Sequence, residues 1–292
     1  MDCAAYVLSE KPNSPIICLD ADTQVDANYL AEIHAQFQND SAWAAVVAFA
    51  HPIEGSEREQ ESIVWYETFL RYWALGLRQA RSPYAYHSIG SAIACTAEAY
   101  ASAGGMNRRR AGEDFYFLQE LAKTGNVSHI RSTVVRPSAR VSDRVPFGTG
   151  RRMTELQDED ADRLAYHPDT FDILRDWIAV FESEPTSGIL GTANAIAPPL
   201  AEYLGTQNIE SAWEKLECNA SSQAALVRQR HRWFDAFRTL KCLHHLRDNG
   251  YPDQPLFESV ASLLTGGEHP WSAPTTTLAE QADLLHHLRK IT

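Results

Sequence analysis

Residues 16–22, Ile-Ile-Cys-Leu-Asp-Ala-Asp, join a short apolar run to two carboxylates separated by one alanine. A continuous apolar run of this length predicts a strand buried on both faces, as in a parallel sheet. Side chains two apart on an extended chain point the same way, so Asp20 and Asp22 are expected to converge. Such carboxylates at the carboxyl end of a strand suit Mg²⁺ or Mn²⁺. The same spacing also fits a solvated loop in which Asp26 and Asn28 cap the next helix.

The segments that follow alternate between helical and extended patterns up to about residue 135. They are a helix over 27–40, a strand over 44–50, a helix over 56–80, an extended segment over 86–96, a short helix over 97–103, a helix over 113–124 and a strand over 127–135. This alternation predicts the α/β class, with a partial Rossmann-like mixed sheet and helices.

Beyond about residue 153 the pattern becomes helical, and no further strand is predicted. The amphipathic segments are 170–182, 208–217, 221–248, 255–264 and 277–290. We therefore predict a domain over 1–152 and a mainly helical C-terminal region over 153–292.

Composition narrows the range of partners. The formal net charge of −12 argues against nucleic acid, because binding a polyanion requires clustered Lys and Arg. The five cysteines have no metal-ligand or disulfide spacing, which favours free thiols in a reducing compartment. The sequence contains no apolar run long enough for a membrane span and no signal-peptide pattern, so a cytoplasmic location is expected.

A second acidic group follows Gly112, where Glu113 and Asp114 begin a predicted helix. The helix macrodipole favours negative charge at this end, so both acids could be purely structural. A carboxylate here could also act as a general base that takes the proton from an attacking hydroxyl.

Two other known motifs, a calcium loop and a phosphatase motif, also contain closely spaced aspartates. A calcium loop starting at Asp20 fails, because its fifth, sixth and twelfth positions would be Gln24, Val25 and Ala31. Phosphatases that resemble haloacid dehalogenases have Thr or Val two places after the second Asp, whereas Thr23 comes one place too early. This near match supplies an alternative function, a metal-dependent phosphohydrolase with Asp20 as nucleophile.

Two further features of the sequence each allow two interpretations. Residues 136–152 are basic and contain glycines, so Arg151 and Arg152 could clamp phosphate, or the segment could be an interdomain linker. His129 could be a third metal ligand or a structural histidine.

Taken together, the ordered motifs resemble family 2 glycosyltransferases of the GT-A fold. Residues 16–23 resemble the family's aspartate–any–aspartate segment. Gly90-Ser91, the short helix ending at Gly104-Gly105, and Gly112-Glu113-Asp114 resemble its acceptor-side segment, in the family's order. The resemblance covers about residues 1–150.

The resemblance implies an inverting, metal-dependent transfer of sugar from a nucleotide-sugar donor to a glycan, lipid or small-molecule acceptor. It assigns Asp22 to the Mn²⁺ or Mg²⁺ ion, Asp20 to the metal or the sugar-nucleotide, and Asp114 to the general base. The remaining assignments are Glu113, Gly90, Ser91 and Gly112 near the acceptor, and Arg151 and Arg152 in the loop that closes over the donor.

The chain departs from the family pattern at its start. In family members the paired aspartates follow strands and helices that bind the nucleotide base, whereas here residues 1–6 already resemble the helix just before the aspartate strand. We therefore expect the nucleotide-binding strands to be absent. A further alternative is an inactive fragment or binding module whose other half is a separate chain. The Gln-any-any-Arg-Trp motif of processive synthases is also missing, and the helical region could bind an acceptor, a partner or a second copy.

Overall fold

The computed structural model describes residues 14–39, 42–106, 112–139, 156, 163–183, 188–265 and 268–292. It divides into two compact units. The first contains residues 1–71, 86–162 and 274–292, and the second contains 72–85 and 163–273. The predicted class is confirmed, because a mixed five-stranded sheet with helices is followed by a mainly helical segment.

The elements of the chain up to residue 136 follow the predicted order, except that the strand at 24–25 was not predicted and the predicted extended segment 86–96 forms a strand only over its last four residues. They are β1 (Pro15–Cys18), β2 (Gln24–Val25), α1 (Tyr29–Asn39), β3 (Ala44–Phe49), α2 (Glu57–Gln79), β4 (Ile93–Thr96), α3 (Ala97–Ser102), α4 (Glu113–Thr124) and β5 (Val127–Arg136). A short 3₁₀ turn, Gly90–Ala92, precedes β4.

The rest of the chain is mainly helical. Its elements are β6 (Leu164–Ala165), α5 (Asp169–Ala179), α6 (Ile189–Ile196), α7 (Pro198–Thr206), α8 (Ile209–Asn219), α9 (Gln223–Trp233), α10 (Ala236–Asp248), β7 (Gln254–Pro255), α11 (Leu256–Leu264) and α12 (Leu278–Ile291).

The strand order of the sheet is β1-β4-β3-β5-β2. Only the β3–β5 pair is parallel within the described sheet; β1–β4, β3–β4 and β2–β5 are antiparallel. The prediction that residues 16–19 form a strand buried on both faces of a parallel sheet is therefore wrong. In the described sheet β1 is an edge strand, and its residues are only partly buried. An apolar run alone fixes neither the place of a strand within its sheet nor the direction of its neighbour.

The core of the first unit lies between α1 and the sheet. Tyr29, Ile33 and Phe37 occupy one face of α1 and belong to the same buried cluster as Val47 and Phe49 of β3. Positions i, i+4 and i+8 form one stripe of a helix, so α1 presents its apolar face to the sheet. This packing holds the loop between β1 and α1, which contains the acidic pair.

Three details of the helical segments differ from the prediction. Residues 221–248 form two helices, because Asp235 starts α10 by accepting a hydrogen bond from Arg238 N (3.0 Å). Helices α6 and α7 were not predicted, and β6 and β7 pair as a small antiparallel ribbon. The predicted boundary between residues 152 and 153 lies outside the described residues. The units themselves are discontinuous in sequence, since 274–292 belongs with the first and 72–85 with the second.

None of the helices in the described ranges combines the length and the apolar composition that crossing a bilayer requires.

Candidate functional site

The acidic pair lies in a turn and not in an extended segment. Thr23 N donates a backbone hydrogen bond to Asp20 O (3.1 Å), which closes a four-residue turn. Asp20 and Asp22 are both exposed. The expectation that their side chains point the same way rested on an extended chain, and the turn removes that basis.

Asp20 is held by Ser91, which is buried in the 3₁₀ turn before β4. Ser91 Oγ donates to Asp20 Oδ2 (2.6 Å), and Thr23 Oγ1 donates to Ser91 Oγ (2.9 Å). The antiparallel register explains the contact: Cys18 pairs with Ile93, so the residue two after Cys18 lies near the residue two before Ile93.

The N-terminus of α4 lies next to the 3₁₀ turn that contains Ser91. Asp114 lies in the first turn of α4, and its Oδ1 accepts a hydrogen bond from Phe115 N (2.7 Å). A Cβ atom added to Gly90 would lie 3.8 Å from Asp114 Oδ2, so the carboxylate is next to the backbone of the 3₁₀ turn. Gly112 precedes the helix with φ of 72°, a conformation that favours glycine.

The surroundings of Asp114 disfavour its charged form. Burial raises the pKa of Asp114 to about 6, and the neighbouring negative charges of Glu113 and Asp20 add to the rise, while the Phe115 N–H opposes it. A carboxylate with such a pKa is ionised at neutral pH and is a stronger base than an ordinary aspartate. This combination suits a group that accepts a proton from a substrate.

Asp22 lines a pocket of about 340 Å³ whose lining residues do not include Asp20. The other lining residues are Gln24, Pro52, Glu54, Gly55, Glu59, Arg136, Ser138 and Ala139. The Arg136 guanidinium binds Asp26 Oδ1 (2.6 Å), so much of its charge is already compensated. The pocket therefore has an excess of carboxylates.

Asp26 and Asn28 do not take the helix-capping role that the loop interpretation assigned to them. Asp26 Oδ2 accepts from Val134 N (3.0 Å), and Asn28 Nδ2 donates to Ser132 O (3.1 Å). Both side chains attach the loop after β2 to strand β5.

A metal ion at the acidic pair would need further ligands. In the part of the chain that the structure describes, no group of three or more His, Cys, Asp or Glu side chains could hold a metal ion. Mg²⁺ is commonly bound by one or two carboxylates together with substrate phosphates, so two aspartates alone would not complete a site. His129 lies in β5 opposite Val46, with its ring centroid 6.4 Å from that of His87, and joins no such group.

The structure thus brings together Asp20, Gly90, Ser91 and Asp114, with Gly112 and Glu113 adjoining. Arg151 and Arg152 lie outside the described residues. Two contributions were missed on the sequence: Thr23, whose hydroxyl supports Ser91, and the pocket wall from Pro52 to Gly55. No family model, no curated protein and no solved structure matches this chain.

Proposed function

We propose that this chain is a glycosyltransferase that moves a sugar from a nucleotide-sugar donor to an acceptor hydroxyl. The observation that carries the proposal is the meeting of three sequence segments. Ser91 is hydrogen-bonded to Asp20, 71 positions away, while the adjacent Gly90 lies against Asp114. The three motifs that resemble the family's segments are therefore neighbours in the fold, as a shared site requires.

In this proposal Asp114 is the general base. Its carboxylate takes the proton from the acceptor hydroxyl as the oxygen attacks the anomeric carbon of the donor, and the nucleoside diphosphate leaves. A single displacement inverts the configuration at that carbon. Burial supports this role, because it raises the pKa of Asp114 to about 6 and increases the carboxylate's basicity.

The donor side is assigned to the acidic turn. Asp22, with Asp20, would hold Mn²⁺ or Mg²⁺, which supplies positive charge to the departing diphosphate. Ser91 fixes one oxygen of Asp20, so the carboxylate is oriented before a ligand arrives. Arg151 and Arg152 are assigned to the donor phosphates, and Glu113, Gly90, Ser91 and Gly112 to the acceptor side.

The phosphohydrolase alternative uses Asp20 as the nucleophile. It assigns no role to Asp114, although that side chain lies next to Gly90, the neighbour of the Ser91 that binds Asp20, and has a raised pKa. The transferase proposal uses both carboxylates, and for that reason we favour it.

The first test is thermal stabilisation of the full chain by Mn²⁺ with UDP or GDP. A ligand at roughly a hundred times its Kd should raise the melting temperature by about 5 °C, and Asp22→Ala should abolish the rise. Asp172→Ala is the matched control, because Asp172 is an exposed aspartate of α5 paired with Arg175. It should leave the rise intact.

Absence of stabilisation by either nucleotide in the unaltered chain would contradict the proposal. Phosphatase turnover that is lost in Asp20→Asn would support the hydrolase instead. If the chain shows neither nucleotide binding nor phosphatase turnover, the inactive fragment or binding module is favoured.

A further inference from the structure

The pocket beside Asp22 is connected to a buried ion cluster in the same compact unit. Glu67, in the middle of α2, has no exposed surface. Arg289 of α12 forms a two-pronged contact with it, from Nε to Oε1 (2.7 Å) and from Nη2 to Oε2 (2.8 Å). Arg71 Nε also donates to Oε1 (2.9 Å). Planar, two-pronged pairs of this kind fix geometry as well as charge.

The same cluster holds the backbone at the end of β3. His51 N and His51 Nδ1 both contact Glu67 Oε2, at 2.8 and 3.1 Å. Arg289 Nη2 donates to His51 O (2.8 Å), and Arg71 Nη2 donates to Phe49 O. Both polar groups of the His51 backbone are therefore bound by the cluster, one through Glu67 and the other through Arg289.

His51 leads directly into the wall of the pocket. Pro52, Glu54 and Gly55 line it together with Asp22. The proline ring restricts φ at Pro52, which limits the freedom of the chain between the fixed His51 and the wall. The position of the wall thus depends on a contact with a residue near the C-terminus of the chain.

Helix α12 is anchored well enough to serve as a support. Leu284, Leu285 and Leu288 are fully buried, and Thr277 and Glu280 form a capping box at its start. At its end Thr292 Oγ1 accepts a hydrogen bond from Arg71 Nη1 (2.6 Å).

We propose that Arg289 is a positioning residue for the site at Asp22, because it holds the His51 backbone and thereby the pocket wall from Pro52 to Gly55. The functional part of this inference rests on the proposed glycosyltransferase activity. The structural part, that Arg289 fixes the wall, stands apart from that activity.

Hydrogen exchange of the full chain tests the structural part. Arg289→Met leaves Glu67 paired with Arg71, so the buried carboxylate keeps a countercharge and the fold is expected to persist. Exchange of the His51 amide, which donates to Glu67 Oε2, should rise by about tenfold, relative to the β1 amides as an internal reference. Arg289→Lys keeps the charge but loses the two-pronged contact. Its amide exchange should therefore lie between that of the unaltered chain and that of Arg289→Met.

Arg175→Lys is the matched control, since Arg175 forms only exposed pairs with Asp172 and Asp176 among its described contacts, and it should change nothing at residues 51–55. If Arg289→Met leaves exchange of the His51 amide unchanged relative to β1, the proposal is overturned. If that variant does not fold, Arg289→Lys decides in the same way.

Titration with Mn²⁺ and UDP tests the functional part. Affinity should fall severalfold in Arg289→Met, recover in part in Arg289→Lys and stay unchanged in Arg175→Lys. Unchanged affinity in all three, with binding intact in the unaltered chain, would overturn the positioning role. Absence of binding in the unaltered chain would instead count against the proposed function, and the exchange result would still decide whether Arg289 holds the wall.

Discussion

Asp114 is a partly buried carboxylate and Glu67 a fully buried one, and their surroundings shift their pKa values in opposite directions. Burial raises the pKa of each. Around Asp114 the nearby charges of Glu113 and Asp20 reinforce that rise. Around Glu67 the hydrogen bonds from Arg289 and His51 and the charge of Arg71 outweigh it, so its pKa lies well below the usual range.

The difference separates two uses of a buried acid. A carboxylate with several cationic donors is kept ionised and holds elements together, as Glu67 holds α2, α12 and the end of β3. A carboxylate beside other carboxylates keeps an affinity for protons near neutral pH, which is useful for catalysis. The first arrangement is architectural, and the second is the one on which we base the proposed function.

The largest expected effect is on activity at Asp114. Asp114→Asn keeps the shape of the side chain but removes the base, so sugar transfer should fall by roughly 10²–10⁴-fold. The measurement is product formation from a panel of nucleotide sugars. Glu120→Gln, on the same helix and in a partly exposed pair with Lys123, should retain activity. Equal rates in Asp114→Asn and the unaltered chain would remove Asp114 from the mechanism.

The next effect is on stability at Glu67. Glu67→Gln leaves Arg71 and Arg289 buried without a countercharge, which should lower the free energy of unfolding by about 3–5 kcal/mol. Urea denaturation measures the change. The matched Glu120→Gln should cost less than about 1 kcal/mol, because its ion pair is partly exposed to water. A small cost at Glu67 would mean that the cluster is not architectural.

The smallest effect is the dependence of stability on pH, where the two carboxylates act with opposite signs. The folded pKa of Asp114 is raised from 3.8 to about 6, so its protonated form favours the folded state. Its contribution should therefore fall as pH rises from about 4 to 6, by at most about 3 kcal/mol. Asp114→Asn should lack this decline when unfolding is measured across that range.

Glu67 has a lowered folded pKa, so its contribution is present above its ordinary value of 4.5 and is lost as pH falls through the folded value. The difference in unfolding free energy between the unaltered chain and Glu67→Gln should therefore grow from acid to neutral pH. If the two variants change the pH profile with the same sign, the contrast between the carboxylates is incorrect.

Local signals predicted the elements best. Helix α4 begins and ends where Gly112 and Gly125 predicted, and α3 ends at the Gly104-Gly105 pair. Glycine marks such ends because it readily adopts the positive φ seen at Gly104, Gly105 and Gly112. The candidate residues Asp20, Ser91 and Asp114 were also found from local motifs.

Pairing direction and ion partners could not be predicted in this way. The apolar run of β1 carries no information on whether its neighbour is parallel, and the turn at Asp20 depends on a backbone hydrogen bond. Glu67 and Arg71 are spaced as an ordinary surface pair of a helix, yet both are buried. Their third partner, Arg289, is 222 positions from Glu67.

The sequence alone determined the α/β class, most helix ends in the first 136 residues and the identity of the acidic groups, because propensity, periodicity and glycine positions act over a few residues. Only the tertiary structure decided which carboxylate meets Arg289 and which meets other acids. That choice follows from the packing of distant segments, and it sets the local charge on which each pKa depends.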